Sequence, residues 1–318
     1  MAARQEHKRR AREQREARER EAARAARRRR LRTYAAGGGL AAVIVATLLA
    51  VSLAGGGGER GTSGGGAGGA AQGGHIHGLG LNPADGSLYV ATHNGLFRAT
   101  GRSTEAPRVG RSDRDLMGFS VVGGDHFVAS GHPGSEPGLP ANIGLIESRD
   151  GGRTWTQVSL AGDADFHVLR ASGRRVYGYD GAGGRFMVST NAGRGWEKRD
   201  VPAAPFDLAT DPRDRDHVIA ATQSGLLESR DAGRSWRTLS DQVALLAWPA
   251  ADRLLLLDAD GRIRLSRDGG RTSQVRGSVE GQAVSFIAGG DALYVALADG
   301  SVMQSTDDGA SFAVRARL

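Results

Sequence analysis

Ser148-Arg149-Asp150-Gly151-Gly152-Arg153-Thr154-Trp155 is an eight-residue stretch that returns four more times before the C-terminus. The later copies begin at Ser189, Ser229, Ser266 and Ser305, so the steps between first residues are 41, 40, 37 and 39. Every copy keeps the order Ser-x-Asp/Asn-x-Gly, and three of the five end on Trp. A period of about 40 residues is typical of one four-stranded blade of a β-propeller.

The residue types of the repeat are those of a tight turn between two strands. A carboxylate or amide oxygen can accept hydrogen bonds from backbone N–H groups just downstream, and the glycine can adopt the positive φ that such a turn requires. The closing aromatic residue then gives the next strand a large apolar side chain. We therefore predict a structural role, not a catalytic one, for the shared acidic or amide position, which is Asp150, Asn191, Asp231, Asp268 and Asp307.

The octapeptide resembles the Asp-box, or BNR, repeat of sialidases, sortilin-type receptors and photosystem-assembly propellers. The resemblance covers residues 116–318 and implies a sialidase-like β-propeller. In that family the repeat lies between the third and fourth strands of a blade, on the face away from the active site. The resemblance thus implies the fold and says little about the chemistry.

Short apolar runs predict the remaining strands. Residues 75–81, 87–92 and 95–99 read as three strands of a blade without the octapeptide, and a fourth strand is expected near Arg108-Val109. The same template recurs five times between 116 and 318. We predict an all-β fold, a six-bladed propeller over 75–318 in which the first and last blades each supply four strands.

The N-terminal part differs in composition from the rest. Residues 1–34 hold 14 Lys/Arg and 5 Glu, a net charge of +9, so the remainder carries about −2 of the formal +7. The basic balance belongs to this predicted cytoplasmic tail, and no nucleic-acid partner is expected. The absence of Cys excludes disulfides, thiolate catalysis and a lipoprotein anchor.

Residues 35–54 lack charges and are long enough to cross a bilayer as one helix. The arginines before them predict a single-pass signal-anchor with a cytoplasmic N-terminus and an extracytoplasmic propeller. The alternative is secretion after cleavage near Ala54. Residues 55–74 are Gly-rich and read as a flexible linker that tethers a monomeric propeller to the cell membrane.

Histidines gather on the face predicted to lie opposite the repeats. When the first strands are aligned, His75 corresponds to Asp115 in the second blade and to Asp165 in the third. His77 corresponds to Met117 in the second blade, His167 in the third and Asp207 in the fourth. His93 and His132 follow second strands. The loop over residues 131–140 is the longest insertion and a candidate lid or binding loop.

Three uses of this face stay open. A metal site would draw on His75, His77, His93, Met117, His132 and His167; imidazole and carboxylate suit Zn, Ni or Cu(II), and the thioether favours copper over zinc. A wet channel of hydrogen-bonded polar residues is the second. The third is acid–base catalysis by Asp165 and Asp207, whose separation would set retaining or inverting glycoside hydrolysis.

Sialidase activity is not expected, because no first strand opens with the arginine that sialidases use there. The histidine pattern over 75–170 also resembles a group of bacterial extracytoplasmic propellers usually labelled glycosyl hydrolase. That resemblance implies a glycan or other small-molecule ligand. A protein-interaction scaffold is the remaining alternative.

Overall fold

The computed structural model describes residues 74–318, and all regular structure there is β. The predicted tail, membrane helix and most of the linker lie outside the described residues. From Gly74 to the C-terminus there is no helix with the length and hydropathy needed to span a membrane.

Six antiparallel sheets follow one another along the chain, and each forms a blade. Blade 1 contains β1 (Ile76–Leu81), β2 (Leu88–Thr92) and β3 (Gly95–Ala99), and blade 2 contains β4 (Asp115–Gly123), β5 (His126–His132), β6 (Leu145–Ser148) and β7 (Thr156–Ser159). Blade 3 contains β8 (Phe166–Ser172), β9 (Arg175–Asp180), β10 (Arg185–Ser189) and β11 (Glu197–Arg199), and blade 4 contains β12 (Pro205–Thr210), β13 (Val218–Thr222), β14 (Gly225–Ser229) and β15 (Arg237–Ser240). Blade 5 contains β16 (Ala244–Ala250), β17 (Arg253–Asp258), β18 (Arg262–Ser266) and β19 (Gln274–Ser278), and blade 6 contains β20 (Ala283–Gly289), β21 (Ala292–Leu297), β22 (Ser301–Ser305) and β23 (Ala313–Arg317).

The first strands of the blades form the inner wall of a closed ring. β1 contacts β4, β4 contacts β8, and the series continues through β12, β16 and β20 back to β1. Closure leaves no inner sheet edge open to solvent or to another chain. The prediction of an all-β, six-bladed propeller is confirmed for the described residues.

The ring closes differently from the prediction. Blade 1 has three strands, and its fourth is reduced to one bridge between Phe97 and Arg108. The preceding segment turns instead toward blade 6, where Glu105 forms a parallel bridge with Arg317. The expectation of four strands in blade 1 was wrong, because the backbone of residues 103–105 pairs with the last strand of the chain.

Aromatic side chains fill the spaces between blades. Tyr89 of blade 1 meets Phe127 of blade 2 edge-on, with ring centroids 4.7 Å apart. The tryptophan that closes a repeat packs toward the blade before it: Trp196 donates to Ser159 Oγ at 3.0 Å, and Trp236 lies 5.4 Å from Phe186. These two repeats thus join neighbouring blades as well as turning the chain.

The five octapeptide turns share one hydrogen-bond pattern. Ser148 Oγ donates to Asp150 Oδ1 at 2.8 Å, and Thr154 N donates to the same oxygen at 2.9 Å. Gly152, with φ +84°, donates its N–H to Ser148 Oγ at 2.8 Å. The oxygen at the acidic or amide position accepts from the N–H four residues on in every other copy as well, at Asn191, Asp231, Asp268 and Asp307.

A β-bulge recurs near the start of the first strand in five of the six blades, where the pairing with the second strand shifts by one residue. The residues left unpaired are His77, Met117, His167, Phe206 and Val284. A bulge re-aims the side chain of its extra residue, and all five side chains line one cavity on the ring axis.

Candidate metal centre

His77, His93 and Asp115 form a compact group where blades 1 and 2 meet. His77 Nε2 lies 3.3 Å from Asp115 Oδ1, and His93 Nδ1 lies 2.8 Å from Asp115 Oδ2. One nitrogen or oxygen from each residue falls within 4.8 Å of the other two. Asp115 is buried, with a side chain 5% exposed, so its oxygens reach little besides these imidazoles.

Local structure places each member of this group. His77 is the bulge residue of β1, and Asp115 opens the neighbouring first strand β4. His93 lies in the turn between β2 and β3, which Thr92 fixes by donating its hydroxyl to Gly95 O at 2.9 Å. Three elements far apart in sequence therefore present their polar side chains to one point.

The Asp115 carboxylate is held in its charged form. Burial raises the pKa of Asp115, but the favourable interactions with His77, and to a smaller extent with His93 and His132, more than offset it, so the pKa lies below the usual value. An ionised carboxylate beside two imidazoles is a donor set that suits divalent transition metals.

A second group of the same composition lies where blades 2 and 3 meet. His167 Nε2 lies 2.6 Å from Asp165 Oδ2, and His132 Nε2 lies 3.6 Å from the same oxygen. His132 Nδ1 is 2.9 Å from the Ala141 carbonyl, so the inserted loop after β5 fixes the orientation of this imidazole. We refer to the two groups together as the histidine rim, formed by His77, His93, Asp115, His132, Asp165 and His167.

A cavity of about 60 Å³ lies just inside the rim. His77, Met117 and His167 form one side of its wall, and the apolar side chains of Phe206, Leu245, Val284 and Phe286 form much of the remainder. A larger cavity of about 640 Å³ opens at the far end of the axis, where the first strands end, and shares Leu79, Arg170, Phe286 and Ile287 with the smaller one.

An ion pair lies between the two cavities. Arg170 donates from its guanidinium to Asp207 Oδ1 at 2.9 Å and to the Leu208 carbonyl at 2.8 Å. Asp207 also accepts the N–H groups of Leu208 and Leu246, both at 2.8 Å. Burial raises the pKa of Asp207, although Arg170 and the two backbone donors act in the opposite direction.

The structure divides the predicted site residues into three sets. His77, His93, His132, His167 and Asp165 belong to the rim, and Met117 lies behind it in the cavity wall. His75 is exposed and, within residues 74–318, takes no part in either His–Asp–His group. Asp207 lies deeper, paired with Arg170.

Two inferences from the aligned first strands need revision. Phe206, not Asp207, is the counterpart of His77, because the bulge in β12 falls one residue earlier. Asp115 was aligned with His75 and was absent from the predicted metal ligands, yet it is the carboxylate that joins His77 to His93. Its position two residues before a bulge, shared with Asp165, is the signal that could have identified it.

Fold and site together define a six-bladed β-propeller with a histidine–carboxylate centre at one mouth of its axis. Residues 144–278 match the family described as Sortilin, neurotensin receptor 3. The match covers less than half of the chain. A search of curated proteins gives no matching sequence.

Solved structures share the architecture. A chain of a nidogen/laminin complex is 17% identical with a TM-score of 0.57, over 71% of this chain and 91% of that one. An ancestral GH74 enzyme is 13% identical with a TM-score of 0.50, over 77% and 39% of the two chains. The GH74 xyloglucanase from Xanthomonas campestris is 16% identical with a TM-score of 0.49, over 77% and 45%. The chain spans less than half the length of these two enzymes, and at such identities the likeness shows the fold alone.

Proposed function

We propose that the protein is a membrane-anchored, extracytoplasmic propeller that binds a transition metal ion at its histidine rim. The observation that carries the proposal is the convergence of His77, His93 and Asp115, whose donor atoms lie within 4.8 Å of one another. Two imidazoles and one carboxylate are the ligands of many zinc and copper(II) sites, and three protein ligands leave a coordination position open.

The surroundings of this group support a metal over a purely structural cluster. Asp115 Oδ1 and His77 Nε2 are both buried and make no well-aligned hydrogen bond in the described part of the chain. Buried polar atoms in that condition are costly, and coordination would satisfy them.

Anchoring and location follow from the sequence. In our proposal residues 35–54 hold the propeller at the cell membrane, the N-terminus is cytoplasmic, and the Gly-rich linker lets a monomeric propeller reach ligands near the surface. The alternative is a secreted propeller released near Ala54. A small molecule or glycan would meet the bound ion through the open coordination position, and no nucleic acid is involved.

Metal content tests the proposal. The full-length protein, purified without a histidine tag and titrated with Zn(II) and Cu(II), should bind one ion per chain at the rim. Asp115→Asn should weaken binding by at least the ~10–100-fold that loss of a metal-supporting residue costs. His126→Gln is the matched control, because His126 also pairs with a carboxylate, Glu147 at 3.3 Å, but lies outside the rim. Equal affinity in the parent and the Asp115 variant would contradict the proposal.

Glycoside hydrolysis by Asp165 and Asp207 is the second candidate. One observation favours it: burial raises the pKa of Asp207, as a general acid requires. The opposing observation is that both Asp207 oxygens already accept hydrogen bonds from Arg170 and the backbone. Under this hypothesis Asp165→Asn abolishes turnover in a glycan screen and leaves metal content unchanged. If neither metal nor turnover is found, an interaction scaffold becomes the better hypothesis.

A further inference from the structure

Three donor side chains occupy the same structural position on three consecutive blades. His77, Met117 and His167 are the bulge residues of β1, β4 and β8, and all three line the cavity inside the rim. Because the bulge removes each residue from the strand ladder, its side chain is free to turn inward. Two imidazoles and one thioether therefore form an arc around one side of the channel.

Two of the strands that carry these donors, β4 and β8, are packed unusually close together. A Cβ added at Gly118, directly after Met117, would lie 2.3 Å from the Phe166 carbonyl oxygen, directly before His167. The missing side chain of Gly118 thus allows the strands of Met117 and His167 to approach each other.

Carboxylates hold the two imidazoles from behind. Asp115 faces Nε2 of His77, and Asp165 faces Nε2 of His167. A proton on Nε2 shared with a carboxylate leaves the lone pair on Nδ1, which is the usual arrangement of a metal-binding histidine. His167 Nδ1 is buried and has no hydrogen-bond partner in residues 74–318, in a side chain 9% exposed.

The donor atoms of the cavity select the type of ion. Two imidazoles and a thioether form one side of the wall, Phe206, Leu245 and Val284 add apolar surface, and the Arg170–Asp207 ion pair lines the deeper part. Thioether sulfur is a soft ligand that prefers Cu(I).

We propose that His77, Met117 and His167 form a Cu(I) site inside the rim, with Asp115 and Asp165 orienting its imidazoles. The inference deepens the proposed metal-binding function and rests on it, because His77 belongs to both donor sets. It adds an oxidation state and a soft ligand that the rim itself lacks. Because His77 would bind the outer ion through Nε2 and the inner ion through Nδ1 with Nε2 protonated, the two sites are alternatives. The outer group takes a divalent ion, and the inner group holds monovalent copper when the outer group is empty.

Met117→Leu tests this site with little change of volume, since such swaps in a core usually cost less than ~1.5 kcal/mol. Cu(I) affinity of the full-length protein is measured anaerobically, with ascorbate and competing bicinchoninate. Loss of a ligand should weaken Cu(I) binding by no less than the ~10-fold associated with an outer-shell partner. X-ray absorption should show a sulfur neighbour of copper in the parent and none in the variant.

Met187→Leu is the matched control. Met187 is also buried, at 7% exposure against 3% for Met117, but it lies in the third strand of blade 3 and does not line the cavity. It should leave Cu(I) affinity unchanged. Equal Cu(I) affinity in the parent and Met117→Leu would overturn the inner site. Absence of Zn(II) and Cu(II) binding by the parent would instead overturn the proposed rim function, so the two failures are distinguishable.

Discussion

Asp165 accepts a 2.6 Å contact from His167 Nε2 on Oδ2, while its other oxygen, Oδ1, is buried without a hydrogen-bond partner among the described residues. A buried carboxylate with only one hydrogen-bonded oxygen reduces the free energy of unfolding, because its second oxygen has lost hydrogen bonds to water and gains none from the protein. In our proposal Asp165, which lies beside His132 and His167, orients these two imidazoles and does not stabilise the blade.

Asp165→Asn should therefore weaken metal binding more than it weakens the fold. The amide keeps the size of the side chain but removes the charge that supports His167 and His132. We expect Cu(I) affinity to fall about 10–100-fold, with a thermal midpoint close to that of the parent. Competition titration and calorimetry measure the two quantities. Asp163→Asn, at an exposed carboxylate two residues away, should change neither.

Gly181→Ala should displace the His167 ring. An added Cβ would lie 2.7 Å from His167 Nδ1, closer than real side chains approach, so the imidazole has to rotate away from Asp165. We expect loss of Cu(I) binding with Zn(II) binding at His77, His93 and Asp115 retained. Gly123→Ala is the control, since a Cβ there meets nothing within 4 Å. Retained Cu(I) binding in Gly181→Ala would argue against a role for His167.

Arg170→Met should destabilise the protein by about 3 kcal/mol, because it leaves the Asp207 carboxylate buried without its cation. The pKa of Asp207, already raised by burial, should rise further. A group with a raised folded-state pKa stabilises the fold at low pH and loses that contribution as pH rises. Urea unfolding should thus show a smaller difference in the free energy of unfolding between the parent and Arg170→Met at pH 5 than at pH 7. Arg262→Met, which removes an exposed ion pair with Asp260, should cost ~1 kcal/mol or less.

The octapeptide turns predict a loss of stability in acid. Hydrogen bonds from Ser235 lower the pKa of Asp231 to about 2, and equivalent donors, led by Thr272 and Ser311, do the same for Asp268 and Asp307. Because these folded-state pKa values lie below the usual aspartate value of 3.8, the stabilisation is complete above that pH and is lost as pH falls toward 2.

Asn191 shows how to test this acid dependence within the same chain. Its amide oxygen accepts from Gly195 N at 2.8 Å and cannot titrate in this range. The triple variant with Asp231, Asp268 and Asp307 changed to Asn should be less stable at pH 7, since Ser235, Thr272 and Ser311 lose carboxylate acceptors, yet its stability should fall less between pH 4 and 2. Acid titration followed by circular dichroism measures the slope. If stability falls with pH as steeply in the triple variant as in the parent, carboxylates other than these three cause the acid sensitivity.

Much of the fold was predictable because the repeat is local. Asp150 and Gly152 act within one turn, so their spacing along the chain carries the whole signal, and five copies at about 40 residues predict the blades. Blade 1 was less predictable. Its outer edge is set by Glu105 and Arg317, which are distant in sequence and carry no pattern that pairs them.

The site was predictable as a face but not as a set of contacts. His77 reaches this face as a bulge residue, which alternation along β1 does not predict. The assignment of Asp207 failed for the same reason, because a bulge shifts register by one residue without a mark in the sequence. The sequence did not show whether Asp115 or His75 is the neighbour of the His77 imidazole, because that depends on which of the two side chains is buried. Asp115 is enclosed between two blades, and His75 precedes the first strand and is exposed.

The position of that first strand has a practical consequence. The described chain enters the propeller at the histidine rim, where Gly74 lies beside His93 and Asn94. A protein shortened to begin at His75 would place a new α-amino group, with a pKa of ~7.7–8.0, two residues from His77. That amine, the intervening amide nitrogens and the imidazole would form an artificial copper chelate. Recombinant versions intended for metal measurements should therefore retain the native residues before His75 and carry any purification tag at the C-terminus, beyond Leu318.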